Sequence, residues 1–203
     1  MAKIVLAVFM VAFGAFASNT VQYSYHHPFG ETEELFWDNG NPGNSMTNGL
    51  RGVWFVMPFE GKVITVRTYL SGDAGYDSPF DIMITPRAGN GMPDEGNPYG
   101  VMEYAGGEAT GAGWLDVDVS DLDVHLEEGA EFYYVFDPRP ASGLPRLHYD
   151  NSGVSGPHNA WRTFSGSWST SVLAPYMMRV IVEDESGTSL ELNSWGYIKR
   201  IGF

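Results

Sequence analysis

Hydrophobic and polar residues alternate with a period of two in several short runs, and that period places successive side chains on opposite faces of extended chain. In "PFDIMIT" (79–85), Phe80, Ile82 and Ile84 fall on one side, with Asp81 and Met83 on the other. In "GWLDVDV", Leu115, Val117 and Val119 point one way while Trp114, Asp116 and Asp118 point the other, so the second face must be wet. "GVWFVMPF" (52–59), "EFYYVF" (131–136) and "YMMRVIVED" (176–184) are apolar enough for buried strands. "KVITVRTYL" (62–70) is rich in β-branched residues and places Ile64, Val66 and Leu70 on one face. Weaker strands are expected over 101–104, 146–149 and 160–164.

Between these runs lie turn clusters such as "SGDAGYDS", "RAGNGMPDEGNP", "AGGEATGAG" and "DNSGVSGP". No helical period is sustained over the body of the chain. Short strands at near-regular spacing, separated by Gly, Pro and Asn turns, predict an all-β protein built as an antiparallel β-sandwich, with a closed barrel as the lesser option. The pattern divides the chain into residues 1–17, a lead-in over 18–34, a sandwich over 35–184 and a linker with a tail over 185–203.

The first segment reads as a signal peptide. Lys3 precedes the apolar run "IVLAVFMVAFGAFA", and Ala15-Phe16-Ala17 supplies a small-residue cleavage site before Ser18. Cleavage after Ala17 removes Lys3 alone among ionisable side chains, taking the formal charge from −14 to about −15. An uncleaved anchor is the rival reading; no second apolar run of spanning length follows, so no membrane span is expected once the segment is removed. The expected location is secreted or cell-surface.

With only 11 Lys and Arg, the chain lacks the basic patch that nucleic acid requires. Cysteine is absent, which removes thiol catalysis, zinc-thiolate sites and disulfides, so the core alone must hold the fold.

The ordered set of motifs resembles the jelly-roll-like β-sandwich modules of secreted and surface bacterial proteins. Phe36-Trp37-Asp38-Asn39-Gly40 fits their aromatic–acidic–glycine turn, "GVWFVMP" their glycine-led strand, and Val66-Arg67-Thr68-Tyr69 their valine-arginine-x-aromatic strand. "SPFDIMI", "GMPDEGNP" and "GWLDVDVSDLDVHLEEGAEFYYVF" follow in the same order, and "PRLHYDNSG", "AWRTFSGSW" and "YMMRVIVED" close the series over about residues 35–184. Asn39 stands where an acid is common and Trp54 where arginine is common. The resemblance implies a non-catalytic accessory or adhesive module. The ending around Trp195, Ile198, Lys199, Arg200 and Phe203 resembles the tryptophan-glycine-x-isoleucine-lysine endings of exported bacterial proteins.

The stretch "FWDNGNPGN" (36–44) poses the sharpest choice. Asp38, Asn39, Asn41 and Asn44 offer oxygens that suit calcium, but no glutamate stands twelve positions on, and Asn-Gly and Asn-Pro-Gly are turn signals. The turn reading is preferred, no cofactor is expected, and calcium is the alternative. His148 and Asp150 share a face two residues apart but would need a third ligand to hold a metal. "HH" at 26–27 splays its rings. No G-x-S-x-G occurs, and the paired acids (116/118, 121/123, 127/128) fall on an exposed face or in a turn, so no enzyme is expected.

The tryptophans are too many for one core. Trp114 falls on the wet face, and Trp161 and Trp168 flank a Ser/Gly loop. Exposed indoles beside carboxylates and amides suit sugar rings, whose apolar faces stack while their hydroxyls hydrogen-bond; the plainer alternative is that each packs under a loop. The expected function is extracellular binding or adhesion, to a glycan or a protein. The alternatives are a self-assembling subunit of a surface layer or filament, with the tail making contacts, and a small hydrolase.

Overall fold

The structure, a computed structural model, describes residues 30–46, 48–71, 79–106, 111–139, 145–151, 158–171 and 174–185. The expected cleavage site at Ala15, Ala17 and Ser18, His26 and His27, and the tail residues Trp195, Ile198, Lys199, Arg200 and Phe203 lie outside the described residues.

Among the described residues, thirteen strands form two antiparallel sheets, one of seven strands and one of six. The first sheet holds β1 (Thr32–Leu35), β2 (Pro42–Met46), β4 (Gly61–Ser71), β7 (Ala112–Asp118), β8 (His125–Leu126), β10 (Arg146–Asp150) and β13 (Met178–Asp184). The second runs in the order β12 (Ser169–Thr170), β11 (Asn159–Arg162), β3 (Leu50–Val56), β9 (Glu131–Asp137), β5 (Phe80–Pro86), β6 (Gly100–Tyr104). Every pairing is antiparallel, and the sheets stay separate: the protein is an antiparallel β-sandwich, not a barrel.

The long strand β4 is the spine of the first sheet. Its residues 65–68 pair with β7 and with β13, which must therefore lie on opposite flanks. The same logic at Leu70 and Ser71 puts β10 in line with β13, and at Gly61 and Lys62 puts β8 in line with β7. β1 and β2 then lie outside β13 and β10, joined by the stretch 36–41.

The interior forms where the inward rows of both sheets meet. Val53, Phe55, Phe80, Ile82, Ile84, Phe132, Tyr134 and Phe136 come from the second sheet, and Val63, Val66, Leu70, Leu147, Met178, Val180 and Val182 from the first. All are buried, each side chain contributing about 1.5–3 kcal/mol by leaving water. Tyr134 is fully buried and its hydroxyl meets Thr68 Oγ1 at 2.5 Å; that burial pushes the phenol's pKa up.

β4 departs from the expected alternation. Thr65 faces Ile181 but Val63 faces Val182, so Ile64 is an extra residue in a bulge. Val63, rather than Ile64, joins Val66 and Leu70 inside. β1 begins at Thr32, within the stretch read as a lead-in, and its sequence "TEEL" shows no apolar period because it is an edge strand held by backbone pairing with β13.

A second apolar cluster sits on the outer face of the second sheet. Leu50, Tyr133, Val135 and Ala160 are covered by Trp54, Met83, Met92, Phe164 and Trp168. The turn-rich loop after β5 folds back over it: Ala88 N–H donates to Met92 O (2.8 Å), Tyr133 Oη to Gly91 O (2.7 Å), and Thr85 Oγ1 to Asp94 O.

Candidate functional site

The stretch 36–41 clasps the two sheets together. Trp37 Nε1 donates to the Trp54 carbonyl of β3 (3.0 Å), while the next residue, Asp38, reaches Arg179 of β13. The Asp38 side chain has no exposed surface; Oδ1 accepts from Arg179 Nη2 (2.5 Å) and Gly40 N–H (2.9 Å), and Oδ2 from Arg179 Nε (3.0 Å). Asn39 N–H donates to Asp150 Oδ2 and Asn41 N–H to Asn39 Oδ1, both at 2.9 Å. Two successive side chains therefore close Asx turns, the local geometry these residues favour. The carboxylate that a calcium ion would use is already engaged by an arginine and a backbone amide. Among the described residues, no three His, Asp or Glu side chains come together as a metal group would require.

Beside the clasp, Trp37 stacks on His158 with ring centroids 3.5 Å apart and 8° between planes. Trp54 lies 4.6 Å from His158, and the Arg87 guanidinium sits 4.5 Å over Trp54. Burial first, and then Arg87, pulls the His158 pKa down to about 4, so the ring is neutral at physiological pH.

Trp114 lies on the outer face of the first sheet, as its alternation implies, and Asp116 and Asp118 beside it are exposed. It is not an open platform. The Arg179 guanidinium covers it at 4.3 Å and reaches Phe36 at 4.8 Å, while Tyr69 meets its edge at 5.4 Å and His148 meets Tyr69 at 5.2 Å. Arg67 crosses the same face with a fork to Asp116 (2.6 and 2.7 Å) and a bond to Glu34 (2.8 Å), contacts that raise its pKa further.

Trp161 belongs to the other sheet, and Trp168 lies in the loop joining its strands β11 and β12. Trp168 packs in the outer cluster under Arg162, whose guanidinium is 5.6 Å from the ring and bonded to Glu95 (2.9 and 3.0 Å). Trp161, on β11, keeps 38% of its surface exposed. Its cross-strand partner is Arg51 of β3, whose guanidinium lies 5.8 Å from Trp161 and 6.0 Å from Tyr176. Asn159 fixes this end: its Nδ2 donates to Ala174 O (2.9 Å), its Oδ1 accepts from Tyr176 N–H (3.4 Å), and its carbonyl accepts from Ser171 N–H (2.9 Å).

The three tryptophans singled out by sequence thus fall on β7, on β11 and in the loop before β12, and do not form one patch. Nor do His148 and Asp150 act as a pair. His148 meets Gly43 O (2.9 Å) and Ser71 Oγ (2.7 Å), whereas Asp150 is buried against the clasp, with a register shift between them. The sequence reading does not reach Arg51, because the apolar run it identifies begins at Gly52. The alternation extended one step back, through Phe55, Val53 and Arg51, places a cation on the inward row.

Fold and site together define an all-β sandwich whose large polar surface is tied by arginine–carboxylate contacts and whose second sheet presents an exposed indole at one edge. No protein-family model matches the chain, and no curated protein does. A solved structure of the cysteine protease and lectin-like domains of Cwp84, a surface layer associated protein of Clostridium difficile, is similar at 14% identity with a TM-score of 0.49, covering 70% of this chain and 33% of that one. The chain therefore spans about a third of that protein's resolved length.

Proposed function

We propose that this is a non-catalytic binding module of an exported protein, and that it holds a glycan against the Trp161 edge of its second sheet. The observation that carries the reading is the 38% exposure of Trp161 directly after Asn159 and Ala160, two buried residues of the same strand. A large ring left in water on a rigid strand is the element a sugar face stacks on. The non-catalytic reading is supported by the engagement of several acids with arginine: Asp81 and Glu103 with Arg139, Glu95 with Arg162, Asp116 with Arg67, and Glu131 with Arg87. Export follows from the apolar run and A-x-A site of residues 1–17.

A glycan array probed with the full chain and with Trp161→Ala tests the proposal. Glycans that bind should bind the variant roughly tenfold more weakly, the loss of about 1.5 kcal/mol of aromatic contact. Equal binding by both proteins rejects the Trp161 site, and an array with no positive glycan rejects the glycan. N-terminal sequencing of secreted material should begin at Ser18.

A further inference from the structure

Among the described residues, Arg51 is a cation without an acid. It is 7% exposed, and its strand neighbours on the inward face are Val53 and Phe55. A guanidinium carries five N–H donors. Here one of them, on Nη1, donates to the Leu50 carbonyl (2.8 Å), while Nε is enclosed with no acceptor among the described residues. Arg67, Arg87, Arg139, Arg162 and Arg179 each meet a carboxylate within 3.4 Å. Arg51 meets none among the described residues; its flanks are the rings of Trp161 and Tyr176. Ring faces stabilise a buried cation only in part, and an uncompensated buried charge is costly to the fold. In a chain of formal charge −14, a buried guanidinium with no carboxylate partner among the described residues, set beside an exposed indole, is suited to an anion supplied from outside.

We infer that Arg51 receives the carboxylate of an acidic sugar whose ring lies on Trp161. The inference rests on the glycan reading above and names its ligand class: a uronate-type residue, planar at its carboxylate and apolar on one face of its ring. The planar fork of arginine matches a carboxylate in two parallel bonds. The acidic protein as a whole repels free anions, so a ligand needs the stacking contact as well as the charge.

Titration of tryptophan fluorescence in the full chain with oligogalacturonate and glucuronate oligosaccharides, beside their neutral methyl esters, provides the test. The acids should bind at least about tenfold more tightly than the esters, since truncating one side of a buried charged contact loses that much or more. Arg51→Met should erase the difference, and Arg51→Lys should keep part of it. Without ligand, Arg51→Met should raise the melting temperature, because it removes an unpaired buried charge. Equal binding of acid and ester, still dependent on Trp161, overturns the anion site while leaving the glycan reading intact. No binding of any glycan overturns both. Binding of inorganic phosphate or of a peptide's terminal carboxylate, with the uronates silent, overturns the sugar assignment. If Arg51→Met does not fold, the acid-over-ester ratio in Arg51→Lys against the unaltered chain decides; an unchanged ratio overturns the inference.

Discussion

At residue 38 a carboxylate with no exposed surface accepts from Arg179 and from Gly40 N–H, so replacing it strands a largely buried guanidinium and an amide at once. Asp38→Ala should lower stability by about 3 kcal/mol in urea unfolding, the low end for breaking a buried pair, because Glu34 remains near Arg179. His158 gives a pH signature. The unfolded ring takes up a proton near its ordinary 6.5, the folded one only near 4, so stability should fall as pH drops through that window and level off below it. His158→Phe, which keeps a ring against Trp37, should flatten that part of the pH–stability curve. His125 runs the other way: hydrogen bonds to Asp123 and then Glu185 raise its pKa, so its contribution is present at acidic pH and fades as pH rises through the raised value. Little of this could be read in the sequence. That Asp38 sits in a turn follows from its neighbours; that its carboxylate is buried depends on an arginine 141 residues away.

Among the elements, the strands with strong apolar alternation, β5 and β7, fall where the sequence places them, because packing two faces against different environments fixes their register, and the continuous apolar run of β9 does so because both of its faces are buried. Those it does not reveal, β1, β2, β8 and β12, are short or polar and exist through their partners' backbone. The bulge at Ile64 is a third kind of case: the residue is apolar and β-branched, and only the pairing of β4 with β13 shows that Val63 takes the inward place. The turn before β3 depends on one glycine. Gly49 has φ +84°, and an added Cβ would overlap the Arg162 carbonyl oxygen of the strand that pairs with β3. Gly49→Ala should cost more than about 2 kcal/mol, from left-handed strain together with the displaced β11, as a fall in melting temperature. Trp168→Ala should likewise destabilise, because its ring fills the outer cluster, whereas Trp161→Ala should change stability little.

Across the whole molecule the candidate surface was legible only in kind. Aromatic surplus indicates that some indoles must be exposed, but which ones depends on what covers each ring: Arg179 and Tyr69 over Trp114, Arg162 over Trp168, His158 over one face of Trp37, and open water over part of Trp37 and Trp161. Since the Asp38 carboxylate is occupied, added calcium or chelator should leave the melting temperature unchanged, in contrast to a fold that needs the ion. The edge strand β7 exposes Asp116 and Asp118, charges that oppose strand-to-strand pairing with another copy.

β1 opens next to the close of β13, with Thr32 opposite Glu183 and Gly30 N–H donating to Asp184 O (3.0 Å). The described body thus begins and finishes at one pole, whereas Tyr176 and Arg51 stand near the opposite end of β13, roughly 20 Å off at the rise of a strand. A module hung by both of its ends from one pole would hold Trp161 outward, away from its attachment. If the two ends were drawn apart, the β1–β13 ladder would open one hydrogen bond at a time from the tether inward, yielding at low force, with the Trp161 pole the last to feel the load.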